Sequence, residues 1–335
     1  MKRSGRLMER IAQPENLRLA YWKASRGKRH KSAVRRYALR LEHHLEELRQ
    51  QLLAADIRLG PYHTFTIFDP KERTICSAPF PERVLHHALM NVCHERFERY
   101  QVYDSYASRP GKGQYAAIER AETFARRHRY FLKLDVRRYF YTIDHEVLRA
   151  QLERLFKDER LLSIFSTIID SHHDAPGRGL PIGSLSSQYF ANHYLAVADH
   201  HIKERLRAPA YVRYMDDMVL WGDDMPQLLS QERAVRCFCE ESLHLRLKPP
   251  VINRSANGLP FLGYVLRPGG RHLTQASRRR FARRLVGYAQ RLWAGEWSEA
   301  DFRRHSLPLF AFAEHADTLA LRRKILAGIP LEEGC

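Results

Sequence analysis

Tyr211-Val212-Arg213-Tyr214-Met215-Asp216-Asp217-Met218 sets two adjacent carboxylates between strand-forming residues, with Val212 and Tyr214 before the pair and Val219, Leu220 and Trp221 after it. That pattern predicts a tight β-hairpin with both acids at its tip. Adjacent carboxylates repel, and they lose solvation when covered, so a tip that displays both calls for a multivalent cation. An Asp-Asp pair alone is more often a solvated turn. A third acid ends the apolar, strand-like run Phe131-Leu132-Lys133-Leu134-Asp135. Asp135 and Asp216 together are suited to clamp two magnesium ions about 4 Å apart, the arrangement that serves in-line displacement at phosphorus.

Composition sets the context for these acids. The 335 residues are enough for a sizeable core and for two or three tightly joined domains. Lys and Arg outnumber Asp and Glu by 56 to 38, a net charge of +18. The excess recurs along the whole chain instead of forming one amphipathic helix, which points to a polyanionic partner, nucleic acid before membrane. Five cysteines at irregular spacing argue against a disulfide framework and for a reducing cytoplasm. Cys237-Phe238-Cys239 has no second ligand pair nearby to close a zinc site, and it is predicted to lie in a helix. The doublets His43-His44, His86-His87, His172-His173 and His200-His201 are scattered and are assigned surface or packing roles. No run reaches the roughly 18 apolar residues of a membrane helix, and no apolar stretch of a secretory signal follows Met1-Lys2-Arg3-Ser4. A cytoplasmic protein is expected.

Along the chain, the first sixty residues are predicted to be basic helices, with Leu41, Leu45, Leu48 and Leu52 at helical spacing after the run Arg26, Lys28, Arg29, His30, Lys31. Strands are predicted at 62–68 and 73–77, and helices at 81–99 and 114–127. Asp144 is placed to cap a helix through Leu148, Leu152 and Leu155. A long helix is expected from Ser186 to about Leu206, a helix over 228–243, and strands near 245–247 and 261–266. The tail from Ser277 is basic and helical, with Phe281, Leu285 and Tyr288 on its apolar face. This order of elements implies an α+β architecture.

Three longer motifs carry a family resemblance. In Asp135-Val136-Arg137-Arg138-Tyr139-Phe140 an aromatic ring follows the acid by five residues. The run resembles the first catalytic motif of a reverse transcriptase, where the ring crowds the sugar C2′ and excludes ribonucleotides; Phe140 alone would be read as a core residue. Gly179-Leu180-Pro181-Ile182-Gly183-Ser184-Leu185-Ser186-Ser187-Gln188 resembles the family's loop and helix under the nascent base pair, which implies nucleotide contacts by Ile182 and Gln188. Tyr214-Met215-Asp216-Asp217 is the third match. Weaker ones follow in family order: Leu245-Arg246-Leu247-Lys248, with Lys248 near the leaving pyrophosphate, and Phe261-Leu262-Gly263-Tyr264, a primer-gripping hairpin. Upstream, Lys71-Glu72-Arg73-Thr74-Ile75 and Ser105-Tyr106-Ala107-Ser108-Arg109-Pro110-Gly111-Lys112-Gly113 resemble basic finger motifs. By that resemblance Arg73 contacts the triphosphate, for which a guanidinium is well suited, though alone it reads as a surface ion pair.

The resemblance implies a right-hand polymerase with fingers over 1–127, a palm over 128–268 and a helical thumb over 269–335, with part of 150–178 joining the fingers. Asp135, Asp216 and the Val136 carbonyl would hold two Mg²⁺, for which Mn²⁺ can substitute, and Asp217 would support the primer end. Template RNA, the RNA/DNA duplex and dNTPs are the implied partners. Arg109, Lys112, Phe261, Gly263, Arg278, Arg279 and Arg283 would grip nucleic acid, the cations by its phosphates. Among reverse transcriptases the chain most resembles those of diversity-generating retroelements. The grounds are Ile182-Gly183 followed by Ser187-Gln188, the early Ala24-Ser25-Arg26-Gly27-Lys28-Arg29 and the late Glu314-His315-Ala316-Asp317-Thr318. That family usually has Gly-His where this chain has Glu314-His315. Membership implies error-prone copying, mutagenic retrohoming and a small accessory protein, and it leaves no stretch for an RNase H, maturase or endonuclease extension. A phage-defence or retron-type enzyme with its own noncoding RNA shares these motifs. A non-catalytic RNA-binding module would have no need of three uncompensated acids, and an RNA-dependent RNA polymerase is disfavoured by Phe140.

Overall fold

A computed structural model describes residues 5–68 and 72–328. Lys71, and the chain ends at 1–4 and 329–335 assigned above to fingers and thumb, lie outside the described residues. The chain opens with helices α1 (Met8–Ile11), α2 (Pro14–Ser25), α3 (Ser32–Leu39) and α4 (Leu41–Ala54). Leu45, Leu48 and Leu52 are buried, as their spacing requires. An antiparallel hairpin of β1 (His63–Ile67) and β2 (Arg73–Ser77) follows. Next come α5 (Phe80–Tyr100), which packs against α2, and α6 (Gln114–Arg127).

The centre is a four-stranded antiparallel sheet in the order β4-β5-β3-β6. Its strands are β3 (Tyr130–Asp135), β4 (Ala210–Tyr214), β5 (Asp217–Gly222) and β6 (Val251–Arg254). Alternation along these strands divides the core in two. Leu132, Leu134, Tyr211, Met218 and Leu220 join the N-terminal helices in one cluster, with α7 (Tyr139–Thr142), α8 (His145–Leu155), α9 (Glu159–Asp170), α10 (Leu185–His200) and α11 (Met225–Leu243). Phe131, Val212, Val219 and Trp221 face the other way, into a cluster shared with α6 and a second sheet. That sheet has three strands, β7 (Leu259–Phe261), β8 (Tyr264–Arg267) and β9 (Gly270–Leu273). Helices α12 (Gln275–Trp293), α13 (Glu299–Glu314) and α14 (Leu319–Ala327) complete the chain. The mixture bears out the α+β class.

Local chemistry explains most boundaries. Asp144 caps α8, its side chain accepting from Glu146 N and Val147 N. Three expectations change. The helix expected to run to Leu206 ends at His200 and continues as a π-turn over His201–Arg205. The strand expected at 245–247 is reduced to a single bridge from Leu247 to Val136. Pro249 and Pro250 have no N–H for a ladder, so pairing with β3 begins only at Val251. The stretch 261–266 is two strands joined by a turn at Leu262-Gly263, both with positive φ. A Cβ on Gly263 would lie 2.9 Å from Phe312 Cζ, so a glycine there lets α13 close on the turn. Among the described residues no helix is long and apolar enough to cross a membrane.

Candidate active site

The three acids meet on the sheet. β3 pairs with β5 so that Asp135 lies opposite Asp217, and Tyr214 lies opposite Asp217 on the other side. The β4–β5 connection is therefore a two-residue turn, Met215-Asp216, with Met215 at φ +53°. This corrects the expectation of two acids at the tip: Asp216 is at the tip, whereas Asp217 is the first residue of a strand.

Each flanking acid is met by a lysine. Lys248 Nζ is 2.8 Å from the Asp135 carboxylate, and Lys133 Nζ is 3.1 Å from Asp217 Oδ1. Lys248 is carried there by its own backbone, since its N–H donates to Asp135 O at 2.9 Å. Asp216 has no lysine of its own. Burial, then the neighbouring Asp135 and Asp217 carboxylates, push its pKa up to about 6. Burial also raises that of Asp217, against the pull of Lys133.

Among the described residues no group of three or more His, Cys, Asp or Glu is arranged as a finished metal cage. The donor chemistry nevertheless suits a hard divalent ion. Asp135 Oδ1 and Asp217 Oδ1 are buried and each faces a lysine ammonium, while Asp216 is held in an environment that disfavours its own charge. The lysine ammonium groups supply part of the positive charge that such an ion would bring.

A network that sequence reasoning missed holds the turn in place. Arg213 and Asp199 are both 0% exposed and pair at 2.6 Å. Arg213 Nη1 also donates to Met215 O and Asn192 Oδ1, and Nη2 donates to Asn192 O and Gln101 Oε1. With Nε on Asp199, every guanidinium nitrogen is engaged. Tyr211 donates to Asp199 as well, at 2.6 Å. The available signal was a charge in a strand at the same alternation as the core residue Tyr211.

The loop over 179–183 is tied on two sides. Gly179 N and Leu180 N donate to Ile143 O and Phe140 O, while Ile182 O accepts from Cys76 N of β2 at 2.7 Å. A Cβ on Gly183 would lie 3.0 Å from Ile75 Cγ2, and its φ is +113°, so glycine permits the contact. Ile182, Gln188 and Phe140 are half-buried, Arg73 is exposed, and Val136 is buried beside Asp135.

The residues expected to grip nucleic acid divide. Arg278, Arg279 and Arg283 are exposed on α12, and the first two line an open groove of about 530 Å³ with Arg267 and His272. Lys112 folds over the Tyr103 ring, its Nζ 3.4 Å from the centroid. Two expectations are corrected. The Arg109 side chain is 7% exposed and fully engaged in holding its own loop, by Glu98 and the carbonyls of Val102 and Ser105. Phe261 is buried in the second core, because Leu259 and Phe261 of the short β7 both point inward, and Gly263 is packed beneath α13.

The sequence model of a family described as "Reverse transcriptase (RNA-dependent DNA polymerase)" matches residues 70–266, more than half of the chain. Among solved structures, telomerase from Candida albicans in complex with a TWJ fragment of telomeric RNA is similar at a TM-score of 0.50 and 13% identity. The match covers 71% of this chain and 51% of that one, so this chain spans about half the length of that relative. At such identity the likeness is one of fold. No curated protein matches the sequence.

Two outcomes follow from the geometry. Asp199→Asn leaves the Arg213 charge buried without its counter-ion and is expected to cost about 3–5 kcal/mol. Urea unfolding measures this, and a loss under 1 kcal/mol would remove the pair from its structural role. Asp216 holds its proton more tightly in the folded protein than in the unfolded chain, so its contribution to stability falls as pH rises from about 4 through about 6. The loss is on the order of 2–3 kcal/mol. In EDTA, Asp216→Asn should therefore melt higher than wild type above pH 6, with the gap shrinking toward pH 4. A gap constant across that range would contradict the assignment.

Proposed function

Because this chain belongs to the reverse transcriptase (RNA-dependent DNA polymerase) family, we propose that it copies a template RNA into cDNA by two-metal nucleotidyl transfer. The observation that carries the reading is the opposition of Asp135 and Asp217 across one strand pair, with Asp216 at the adjoining turn pushed toward neutrality by burial and then by both acids. Asp135, Asp216 and the Val136 carbonyl are the assigned holders of two Mg²⁺, which when bound lower the pKa of a primer 3′-OH and neutralise the triphosphate. Lys248 is placed to meet the leaving pyrophosphate, Arg73 to meet the triphosphate, and Phe140 to crowd the sugar. Asp217 supports the primer end. The fingers comprise 1–127 with part of 150–178, and α9 packs against α4 as that division requires. The palm is 128–268 and the thumb 269–335, where the exposed arginines of α12 bind duplex phosphates.

Within the family, the diversity-generating retroelement enzymes are the assignment, with mutagenic retrohoming and a small accessory protein as context. The sequence form Ile182-Gly183 with Ser187-Gln188 supports it. The docking of that loop on β2 brings Ile182 close to the strand that begins with Arg73, a suitable arrangement for tuning how tightly a nascent pair is held.

Primer extension on RNA with dNTPs and Mg²⁺ tests the reaction. Asp216→Asn is expected to abolish extension while RNA binding persists, and Phe140→Ala to admit rNTPs, since the sugar discrimination is steric. Extension at the wild-type rate by Asp216→Asn would refute the two-metal role, and unchanged sugar preference would return Phe140 to the core. Sequencing of the cDNA made on a defined RNA tests the subclass. Errors concentrated at template adenines are expected, and a difference of only ~1.4 kcal/mol in discrimination changes the error rate tenfold. Uniformly low errors would point instead to a defence or retron-type enzyme.

A further inference from the structure

Between the end of α5 and the second halves of α8 and α10 lies a cavity of about 140 Å³, lined by Tyr100, Gln151, Arg154, Leu155, His193 and Val197. Its polar groups are unmet. His193 is 1% exposed, and neither ring nitrogen has a hydrogen-bond partner. Gln151 is 6% exposed, and while its Nε2 donates to Tyr194 O at 3.4 Å, its Oε1 accepts nothing. Burial pushes the pKa of His193 down to about 4, and the nearby Gln151 carbonyl opposes this only in part. The ring is therefore neutral at ordinary pH, with one N–H to donate and one bare nitrogen to accept. The Tyr100 ring meets it edge-on, with centroids 4.8 Å apart. Arg154 is exposed, and it is the charged side chain of this lining.

Buried polar groups are rarely left unpaired, so a donor and two acceptors gathered at one cavity call for an occupant that complements them. Each property narrows what that occupant is. No carboxylate lines the cavity, which disfavours a metal or ammonium ion. A hydrocarbon would leave His193 and Gln151 as unmet as before. An apolar cavity of ~150 Å³ takes one benzene ring, so the two rings of a purine are too many. What fits is a single ring with donor and acceptor side by side, joined to an anion that reaches Arg154. We propose that this cavity binds a pyrimidine nucleotide, its base edge paired with His193 and Gln151 Oε1 and its phosphate met by Arg154. In cytosine the N4 amino group donates to Gln151 Oε1 while N3 accepts from His193; in uracil N3–H donates and O4 accepts. The place is separate from the three acids. His193 and Val197 lie on α10 between Asn192 and Asp199, the residues that hold Arg213, so the occupant would pack against the helix that steadies the Asp216 turn. A free nucleotide and an unpaired pyrimidine of an RNA carry the same chemistry.

Equilibrium dialysis of the full chain in EDTA against CMP, UMP, AMP, cytidine and inorganic phosphate tests the site without turnover. Saturable binding of CMP and UMP is expected, with AMP and phosphate far weaker. Gln151→Met keeps the shape and removes the acceptor, and should weaken CMP roughly tenfold. Arg154→Gln should erase the advantage of CMP over cytidine. Asp216→Asn should bind CMP as wild type does, which separates this cavity from the acids of the sheet. Hydrogen exchange with CMP bound should slow in the second halves of α8 and α10. An RNA hairpin with one bulged cytidine distinguishes the sources: displacement of CMP by it, lost when the bulge is deleted, assigns the cavity to RNA, and CMP binding unmoved by it assigns the cavity to the free nucleotide. Equal binding of AMP and CMP, CMP affinity unchanged in both cavity variants, or protection confined to other segments overturns the proposal. So does the lack of binding at millimolar CMP, which would leave the cavity to water. Thermal melting checks the fold of Gln151→Met, and the exposed Arg154 keeps the test open if that variant unfolds.

Discussion

The buried pair of Arg213 and Asp199 is the constraint from which the centre of this molecule is organised. A guanidinium at zero exposure is tolerable only when every donor is satisfied, and its partners come from three places: Asp199 and Asn192 on α10, Gln101 just after α5, and the Met215 carbonyl in the turn. Satisfying that one side chain aligns the helix under the sheet with the turn that carries Asp216. The segment before α6 joins in, since Arg213 N donates to Asp104 O and Tyr106 N donates to Arg213 O. A buried ion pair contributes little net stability when compared with apolar packing, yet it specifies one arrangement sharply. That specificity is used here to place a carboxylate where carboxylates are disfavoured.

The electrostatics of the site are balanced across the strands. Lys133 and Lys248 set a positive charge beside each of the facing acids, Asp217 and Asp135. Asp216 stands apart from this arrangement, and its raised pKa marks it as the group for which an added cation has most to offer. The stability given up at Asp216 and the function proposed for it are two aspects of one placement.

Much of this was legible in the sequence, for reasons that differ by element. The strands bearing Asp135 and Asp217 could be read because alternation and the β-branched or aromatic content of 130–135 and 210–222 agree. The helix over 114–127 could be read because its apolar spacing and flanking glycines agree. Position within the turn was not legible: adjacent acids look equivalent until the register separates the tip from the strand. Arg109 and Phe261 were misread for a common reason. An arginine in a Gly/Pro loop and an aromatic before a glycine both look displayed, and only the fold reveals Glu98 beneath the one and an inward-facing strand beneath the other. The Arg213 network was hidden because its partners lie far apart in the chain, and pairing over such distances leaves no local pattern.

The double tether of the 179–183 loop has an evolutionary consequence. Residues 73–77, 140–143 and 179–183 are distant in sequence, yet their main chains are joined by hydrogen bonds through Gly179, Leu180 and Ile182. Substitutions in contacting segments do not combine additively. Segments 73–77 and 140–143 are therefore not independent modules: a substitution in one would change the effect of substitutions in the other.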